Sequence, residues 1–318
     1  MRLLKIIGIA LTLLLAAAAA FAFLTYRQQD QEKLALDDAA RQSAEVRSYG
    51  GSFVRLPLGV THYELAGPAD APTVVLVHGF SVPYFIWDPT FEALRAAGFR
   101  VLRYDLLGRG WSDRPNARYD ADLFDEQLVQ LLAALNIHEP VDIAGISMGG
   151  PIAVNYAVRH PQAVRRMALF DPAYGKGLTP PWQLRTPFVG EFVMCTKIAP
   201  ALADSQRDDF VHPERYPDYF AKYKPQMRYQ GFRRALLSSI RGFLAEDNTP
   251  AFAQAGRSGK PVLLVWGRAD QTVPFALNDE VRKAIPQAEF HAIDDAGHVP
   301  FYEHPETVNP LLIDFLRR

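Results

Sequence analysis

Gly145-Ile146-Ser147-Met148-Gly149 puts a serine between two glycines, with a β-type run (PVDIAG) before it and a helix-type run (MGGPIAVNYAVRH) after it. A G-x-S-x-G pattern is common by chance; between a buried strand and a helix it predicts a nucleophile on a sharp turn. Such a turn forces the serine into an unfavourable backbone region, and a side chain at either flanking glycine would collide with the chain. The turn lifts the hydroxyl above the sheet edge, beside the free N–H groups of the helix start. The plainer alternative is a tight turn with Ser147 as a helix cap.

A serine hydroxyl is a poor nucleophile at neutral pH and needs a base, which in turn needs an orienting acid. PVLLVWG is followed by RADQTVPF, so Asp270 falls just past a strand end. AEFHAI is followed by DDAGHVPF, so His298 falls on the loop before the last helix. Asp171, closing MALFD, is a second candidate for the acid, whereas Asp294 and Asp295 lie too near His298 in the chain to orient it easily. His138, His160 and His304 stand at helix ends and read as structural. The oxyanion donors follow from the same geometry. One is the backbone N–H of Met148, and the other comes from the loop after TVVLV, at Phe80 in His78-Gly79-Phe80. Loss of one such donor typically costs ~3 kcal/mol of transition-state stabilisation. His78 is read as a loop-shaping residue without chemistry.

These residues need a frame, and the chain alternates strands with helices on either side of one interruption. SFVRL and VTHYELAG read as a hairpin. TVVLV, RVLRYD, PVDIAG, VRRMALFD, PVLLVWG and AEFHAI read as strands with helical stretches between them. That rhythm predicts a mostly parallel sheet with helices on both faces. Every candidate site residue then falls at a carboxyl strand end, where open α/β sheets place their sites. Residues 172–255 break the rhythm with prolines, aromatics and three helix-like pieces, and are expected to form a helical cap inserted into one domain spanning 52–318. The aromatic residues of this insert, Trp182, Phe188, Tyr219 and Phe232 among them, could wall an apolar acyl or aryl site or pack the cap onto the sheet. KYKPQMRYQGFRR within it reads as a solvated, basic helix face.

At the amino terminus, Ile6 to Leu24 carry no charge and follow Arg2 and Lys5. A run of this length is close to a membrane span. Residues 1–26 therefore read as a signal anchor or a signal peptide. The anchor is favoured because the run exceeds the ~7–15 apolar residues usual for a secretory segment; Ala20-Phe21-Ala22 is the cleavage site in the other case. The polar stretch 27–51 reads as a helical spacer holding the domain off the membrane. The expected location is membrane-anchored with the domain outside the cytoplasm, or secreted or periplasmic after cleavage.

The 318 residues carry 34 basic and 35 acidic side chains, a balance that gives no footprint for nucleic acid. The lone cysteine, Cys195, excludes an intrachain disulfide and a CxxC metal pair, and reads as a packed small hydrophobe.

With HGF, YDLLGRGWSDRP, GISMGG, GRADQTVP and DAGHVPF in place, the chain over 52–318 resembles the α/β-hydrolase-fold serine hydrolases. Its Asp105–Pro115 stretch, of the form D-x-x-G-x-G-x-S, is similar to the loops of monoacylglycerol-lipase-like and other capped esterases. The order Ser147, Asp270, His298 is that superfamily's order. The resemblance implies carboxylic-ester hydrolysis through an acyl-enzyme on a small-molecule ester, with no metal or organic cofactor. It also implies that the loop from Asp105 to Pro115 supports the site without doing chemistry. Serine at 147, where haloalkane dehalogenases and epoxide hydrolases carry aspartate, argues against both of those activities. The alternatives are a carbon–carbon bond hydrolase, an aminopeptidase or a lactonase using the same three residues. A non-catalytic hydrolase-fold binding module is a further alternative. Oligomeric state is left open by the sequence.

Overall fold

A computed structural model describes residues 2–31 and 33–318, with side chains from Lys5 onward except at residue 31. Met1 and the side chain of Arg2, two of the charges flanking the apolar run, lie outside the described residues.

Eight strands form one sheet: β1 Ser52–Leu56, β2 Gly59–Ala66, β3 Thr73–Val77, β4 Arg100–Tyr104, β5 Val141–Ile146, β6 Val164–Phe170, β7 Val262–Gly267 and β8 Glu289–Ile293. Their spatial order is β1-β2-β4-β3-β5-β6-β7-β8. The β1–β2 hairpin is antiparallel and joins β4 antiparallel, while β4, β3, β5, β6, β7 and β8 run parallel. This is the α/β-hydrolase fold.

The central strands are apolar on both faces. Val74, Leu76, Ala144, Ile146, Ala168 and Phe170 enter one core. Their chain neighbours Val75, Val77, Ile143, Met167 and Leu169 enter the other. A period-two split between two buried faces is what helix-covered parallel strands require. Helices Asp88–Ala96 and Pro305–Arg317 cover the first face through Phe91, Leu94, Val308 and Leu312. Helices Ala121–Ala134, Gly149–Arg159 and Asn278–Ala284 cover the second.

Between β6 and β7 the chain leaves the sheet and builds the cap from short helical pieces, among them Trp182–Arg185, Val189–Val193, Ala199–Ser205, Pro217–Tyr223 and Phe232–Arg241. The expected boundary of 255 falls late. Helix Thr249–Arg257 belongs to the body, with Phe252 and Ala255 in the second core beside β7. The stretch KYKPQMRYQGFRR is no solvated face, because Tyr223, Gln226, Tyr229, Phe232 and Arg233 are buried. Gln226 accepts from Gly110 N–H and donates to the Ser81 carbonyl, which roots the cap on the body.

The amino-terminal helix runs Arg2–Gln31 and contains one stretch, Lys5–Asp30, long and apolar enough to cross a membrane, with a mean hydropathy of 2.5 over an 18-residue window. Length and composition are equally those of a signal segment. Its last turns touch the cap: Phe23 meets Phe188 edge-to-face at 5.2 Å, and Arg233 donates to Gln29 at 3.0 Å. Cys195 is buried at this junction, but in polar company, with its thiol against Gln29 and Arg233. The expected free-standing spacer instead lies on the body. Val46 packs with Trp111 and Tyr229, Arg41 pairs with Asp113, and Leu34 and Tyr229 form a parallel bridge. The polar composition of this stretch does not distinguish docking from a stalk; only the partner surface decides between them.

Candidate active site

Ser147 leaves β5 and sits at φ +55°, with Met148 and helix Gly149–Arg159 directly after it. Such a conformation costs a non-glycine residue of order 1–3 kcal/mol and persists only where the surroundings impose it. Here the backbone is fastened on both sides: Ser147 N–H donates to the Phe170 carbonyl at 3.0 Å, and its own carbonyl takes the N–H groups of Gly150 and Ala173. The two glycines have a steric cause. A Cβ at Gly145 would lie 2.2 Å from the Gly149 carbonyl oxygen, and one at Gly149 would lie 2.2 Å from that of Val77. The strand-to-helix turn therefore closes only without side chains there.

His298 and Asp270 meet across two loops. His298 Nδ1 lies 2.8 Å from Asp270 Oδ2, and both side chains are nearly fully buried. The other carboxylate oxygen of Asp270 accepts the N–H groups of Thr272 and Val273 at 2.8 and 2.9 Å, so Asp270 is aimed by its own loop. Burial on its own would lower the His298 pKa, but the charge and hydrogen bond of Asp270 outweigh it and hold the imidazole above its ordinary value.

Asp171, the other candidate acid, is fully buried, at φ +42°, and accepts from Gly267 N–H at 2.9 Å instead of from the histidine. Burial first, and then the neighbouring charge of Asp270, raise its pKa well above the carboxylate range. Ligand atoms of Asp171, Asp270 and His298 lie within 4.8 Å of one another, a donor set that could hold a cation. The hydrogen bonds already on Asp270 suit orientation of the imidazole better.

A cavity of about 280 Å³ joins these parts, lined by Ser147, His298 and Phe80 together with Ser81, Val82, Ile86, Ile146 and the cap residues Leu202, Ser205, Gln206, Asp208 and Asp209. It opens at the carboxyl ends of β3 and β5, the point where strand order reverses. Phe80 follows β3 and Met148 begins the helix, so both candidate backbone donors flank Ser147; Gly79 lies so near that a Cβ there would be 3.1 Å from the Ser147 Cβ. None of the cap aromatics named from the sequence lines this cavity. Tyr219, Phe220 and Tyr216 stack around Phe210 and pack the cap, while Trp182 is exposed.

Residues outside the triad brace the site, several of them in the Asp105–Pro115 loop that the sequence marks as supporting. Arg109, within the Asp105–Pro115 loop, is fully buried and has no carboxylate partner among the described residues. It donates to the carbonyls of Phe80 and Leu107 and to Ser239 Oγ, tying the Phe80 loop to the cap. Burial lowers its pKa to about 10. Asp105, in the same loop, accepts from Tyr84 N–H, Trp111 N–H and His62. His78 is fully buried, accepts from Leu106 N–H at 2.9 Å and faces the Gly79 carbonyl, the loop-shaping role expected. Glu303 holds the N–H groups of Gly297 and Val211, joining the His298 loop to the cap.

A family model described as alpha/beta hydrolase fold matches residues 72–305. The chain belongs to the α/β-hydrolase family. Over 295 residues, 86% of this hydrolase and 98% of the relative, it is 30% identical to a 2-hydroxy-6-oxononadienedioate/2-hydroxy-6-oxononatrienedioate hydrolase of Paraburkholderia xenovorans. It is 29% identical to Lipase 3 of a Moraxella species over 72% of each chain. Among solved structures, the enol-lactonase of Burkholderia xenovorans superposes with a TM-score of 0.73 at 25% identity, covering 84% of this hydrolase and all of that chain. Relatives of one fold thus carry the names of an oxononadienedioate hydrolase, a lipase and an enol-lactonase.

Proposed function

We propose that this protein is a serine hydrolase of neutral carboxylic esters. Ser147 Oγ attacks the ester carbonyl while His298 takes its proton. Asp270 holds the imidazole in the required tautomer, and the N–H groups of Met148 and Phe80 stabilise the oxyanion. The imidazolium then delivers its proton to the leaving alcohol, and water repeats the cycle on the acyl-enzyme. The observation that carries the reading is the 2.8 Å His298–Asp270 contact at one wall of the cavity, with Ser147 held at positive φ on another.

Charge favours esters over a dicarboxylate dienone. The charged side chains of the cavity wall, apart from His298, are the carboxylates of Asp208 and Asp209, and no lysine or arginine lines it among the described residues. A dianion would enter against like charge with no cation to receive it. The apolar wall of Val82, Ile86, Ile146 and Leu202 suits a short acyl or aryl group, or the first carbons of a longer chain such as that of a monoacylglycerol.

The amino-terminal helix serves in this reading as a retained anchor with the hydrolase domain outside the cytoplasm. The length of the apolar run supports retention, since it exceeds the ~7–15 apolar residues usual for a secretory segment.

Labelling with a fluorophosphonate probe tests the nucleophile without knowledge of the substrate. The wild-type protein is expected to label and Ser147→Ala to remain unlabelled, with hydrolysis of p-nitrophenyl butyrate falling ~10⁴- to 10⁶-fold. Full ester turnover by Ser147→Ala, or turnover confined to a dienone, refutes the assignment.

A further inference from the structure

Asp209 is a carboxylate that the reaction as described does not use, yet it stands inside the reaction cavity. It ends the helical turn Gln206–Asp209 of the cap. The next residue, Phe210, is buried in the aromatic cluster with Tyr216, Tyr219 and Tyr302, which fixes the backbone at this point. Two hydrogen bonds attach Asp209 to the loops of the acid and the base. Its carbonyl accepts His298 N–H at 2.8 Å, and its Oδ1 accepts Thr272 Oγ at 2.7 Å. Thr272 in turn donates its N–H to Asp270. No described residue donates to the second carboxylate oxygen. Burial raises the Asp209 pKa, with the nearby His298 and the Thr272 hydroxyl working in the opposite direction.

The side of the cavity on which this group lies follows from proton transfer. His298 must deliver its proton to the leaving oxygen, so the alcohol portion of an ester occupies the His298 side. Asp209 is fastened to the His298 backbone and lines that same cavity. An ionised carboxylate only accepts hydrogen bonds. An apolar alcohol placed against it removes water and gives nothing back, and an anionic one repels it. A hydroxyl close to the ester oxygen supplies the missing donor.

We infer that Asp209 selects esters whose leaving alcohol bears a second hydroxyl, as in a partial ester of a polyol, and rejects anionic esters. This rests on the ester-hydrolase reading above and adds the alcohol class to it. The selection comes from the cap, whereas bond cleavage is carried out by the body.

The test uses butyrate esters matched in size: 2-hydroxyethyl, propyl, carboxymethyl and choline. The wild-type kcat/KM ratio of 2-hydroxyethyl to propyl butyrate is expected at about 10- to 100-fold, with carboxymethyl butyrate the poorest. In Asp209→Leu the ratio is expected to fall to about 1, and in Asp209→Asn, which keeps an acceptor without the charge, to lie between. Because each ratio is taken within one protein, a general loss of activity cancels, and thermal melting reports whether each variant is folded. A wild-type ratio near 1, an unchanged ratio in folded Asp209→Leu, or choline preferred over 2-hydroxyethyl overturns the inference. If neither fluorophosphonate labelling nor turnover of any ester occurs, the hydrolase reading itself has failed. Labelling and ester turnover with a flat ratio overturn only the role of Asp209.

Discussion

The carboxyl edge of the sheet and the cap face each other across one cavity but are built by different means. On the sheet side, each site residue is placed by backbone. Ser147 is locked between β5 and a helix start, Asp270 is held by the N–H groups of its own loop, and Phe80 stands in the loop that leaves β3 after His78 and Gly79. On the cap side, short helical pieces interrupted by prolines place Leu202, Ser205 and Asp209 through tertiary contacts with Tyr219, Thr272 and the His298 loop. The sheet edge tolerates little variation because hydrogen-bonded strands fix its positions. The cap can change its lining without disturbing the strands beneath. In the proposed reaction, bond cleavage belongs to the sheet edge and substrate choice to the cap.

Substitutions on the two sides should separate in size and in kind. The largest effect after loss of Ser147 belongs to Asp270→Asn, for which kcat is expected to fall ~10⁴-fold. Its pH profile provides a sign. In the proposed mechanism neutral His298 is the base, so its raised pKa should place the rising acid limb of kcat/KM above the ordinary imidazole value of 6.5 in the wild-type enzyme. Asn at 270 removes the charge that raises it and leaves burial, so the residual limb should move to lower pH. An unmoved limb would show that Asp270 does not face the active imidazole.

Arg109→Met comes next. Without its guanidinium the Phe80 carbonyl loses a 2.7 Å donor and the oxyanion loop loses its tie to Ser239. A shift of this loop is expected to lower kcat by up to ~10²-fold. The unpaired carbonyls should cost about 1–3 kcal/mol in denaturant unfolding. Full kcat at reduced stability would confine Arg109 to the fold.

Asp171→Asn is expected to change kcat/KM by less than ~10-fold and to leave the acid limb in place. Burial and the neighbouring Asp270 raise the pKa of the wild-type carboxyl, and the amide keeps the acceptor for Gly267 N–H. A loss as large as that of Asp270→Asn would move the role of triad acid to Asp171. The smallest effect is expected in the exposed part of the cap. Trp182→Ala should leave turnover of a water-soluble ester within about twofold and stability within ~0.5 kcal/mol.

The sheet and its edge were largely legible in the sequence. Strand and helix periods are local properties, and glycines two positions either side of a serine report a steric requirement that acts within five residues. The cap was legible only as an interruption. Its aromatics were indistinguishable by type as site walls or packing residues, and the structure uses Tyr216, Tyr219 and Phe220 to pack around Phe210. By charge density KYKPQMRYQGFRR reads as solvated, but Gly110 N–H and the Ser81 carbonyl, both far away in the chain, take the two ends of the Gln226 amide. The spacer looked free for the same reason, its partner Trp111 lying some 65 residues along the chain from Val46.

The sequence by itself determined the fold class and the order in which Ser147, Asp270 and His298 arrive at the sheet edge, because hydrophobic period and turn chemistry act over short stretches. The tertiary structure alone decided which carboxylate faces His298 and which lies behind it. It also decided that Arg109 braces Phe80 and that the cap sets Asp209 in the cavity. Those outcomes depend on groups far apart in the chain meeting in a buried, low-dielectric space, where a hydrogen bond or a charge one residue away in position changes what a side chain can do.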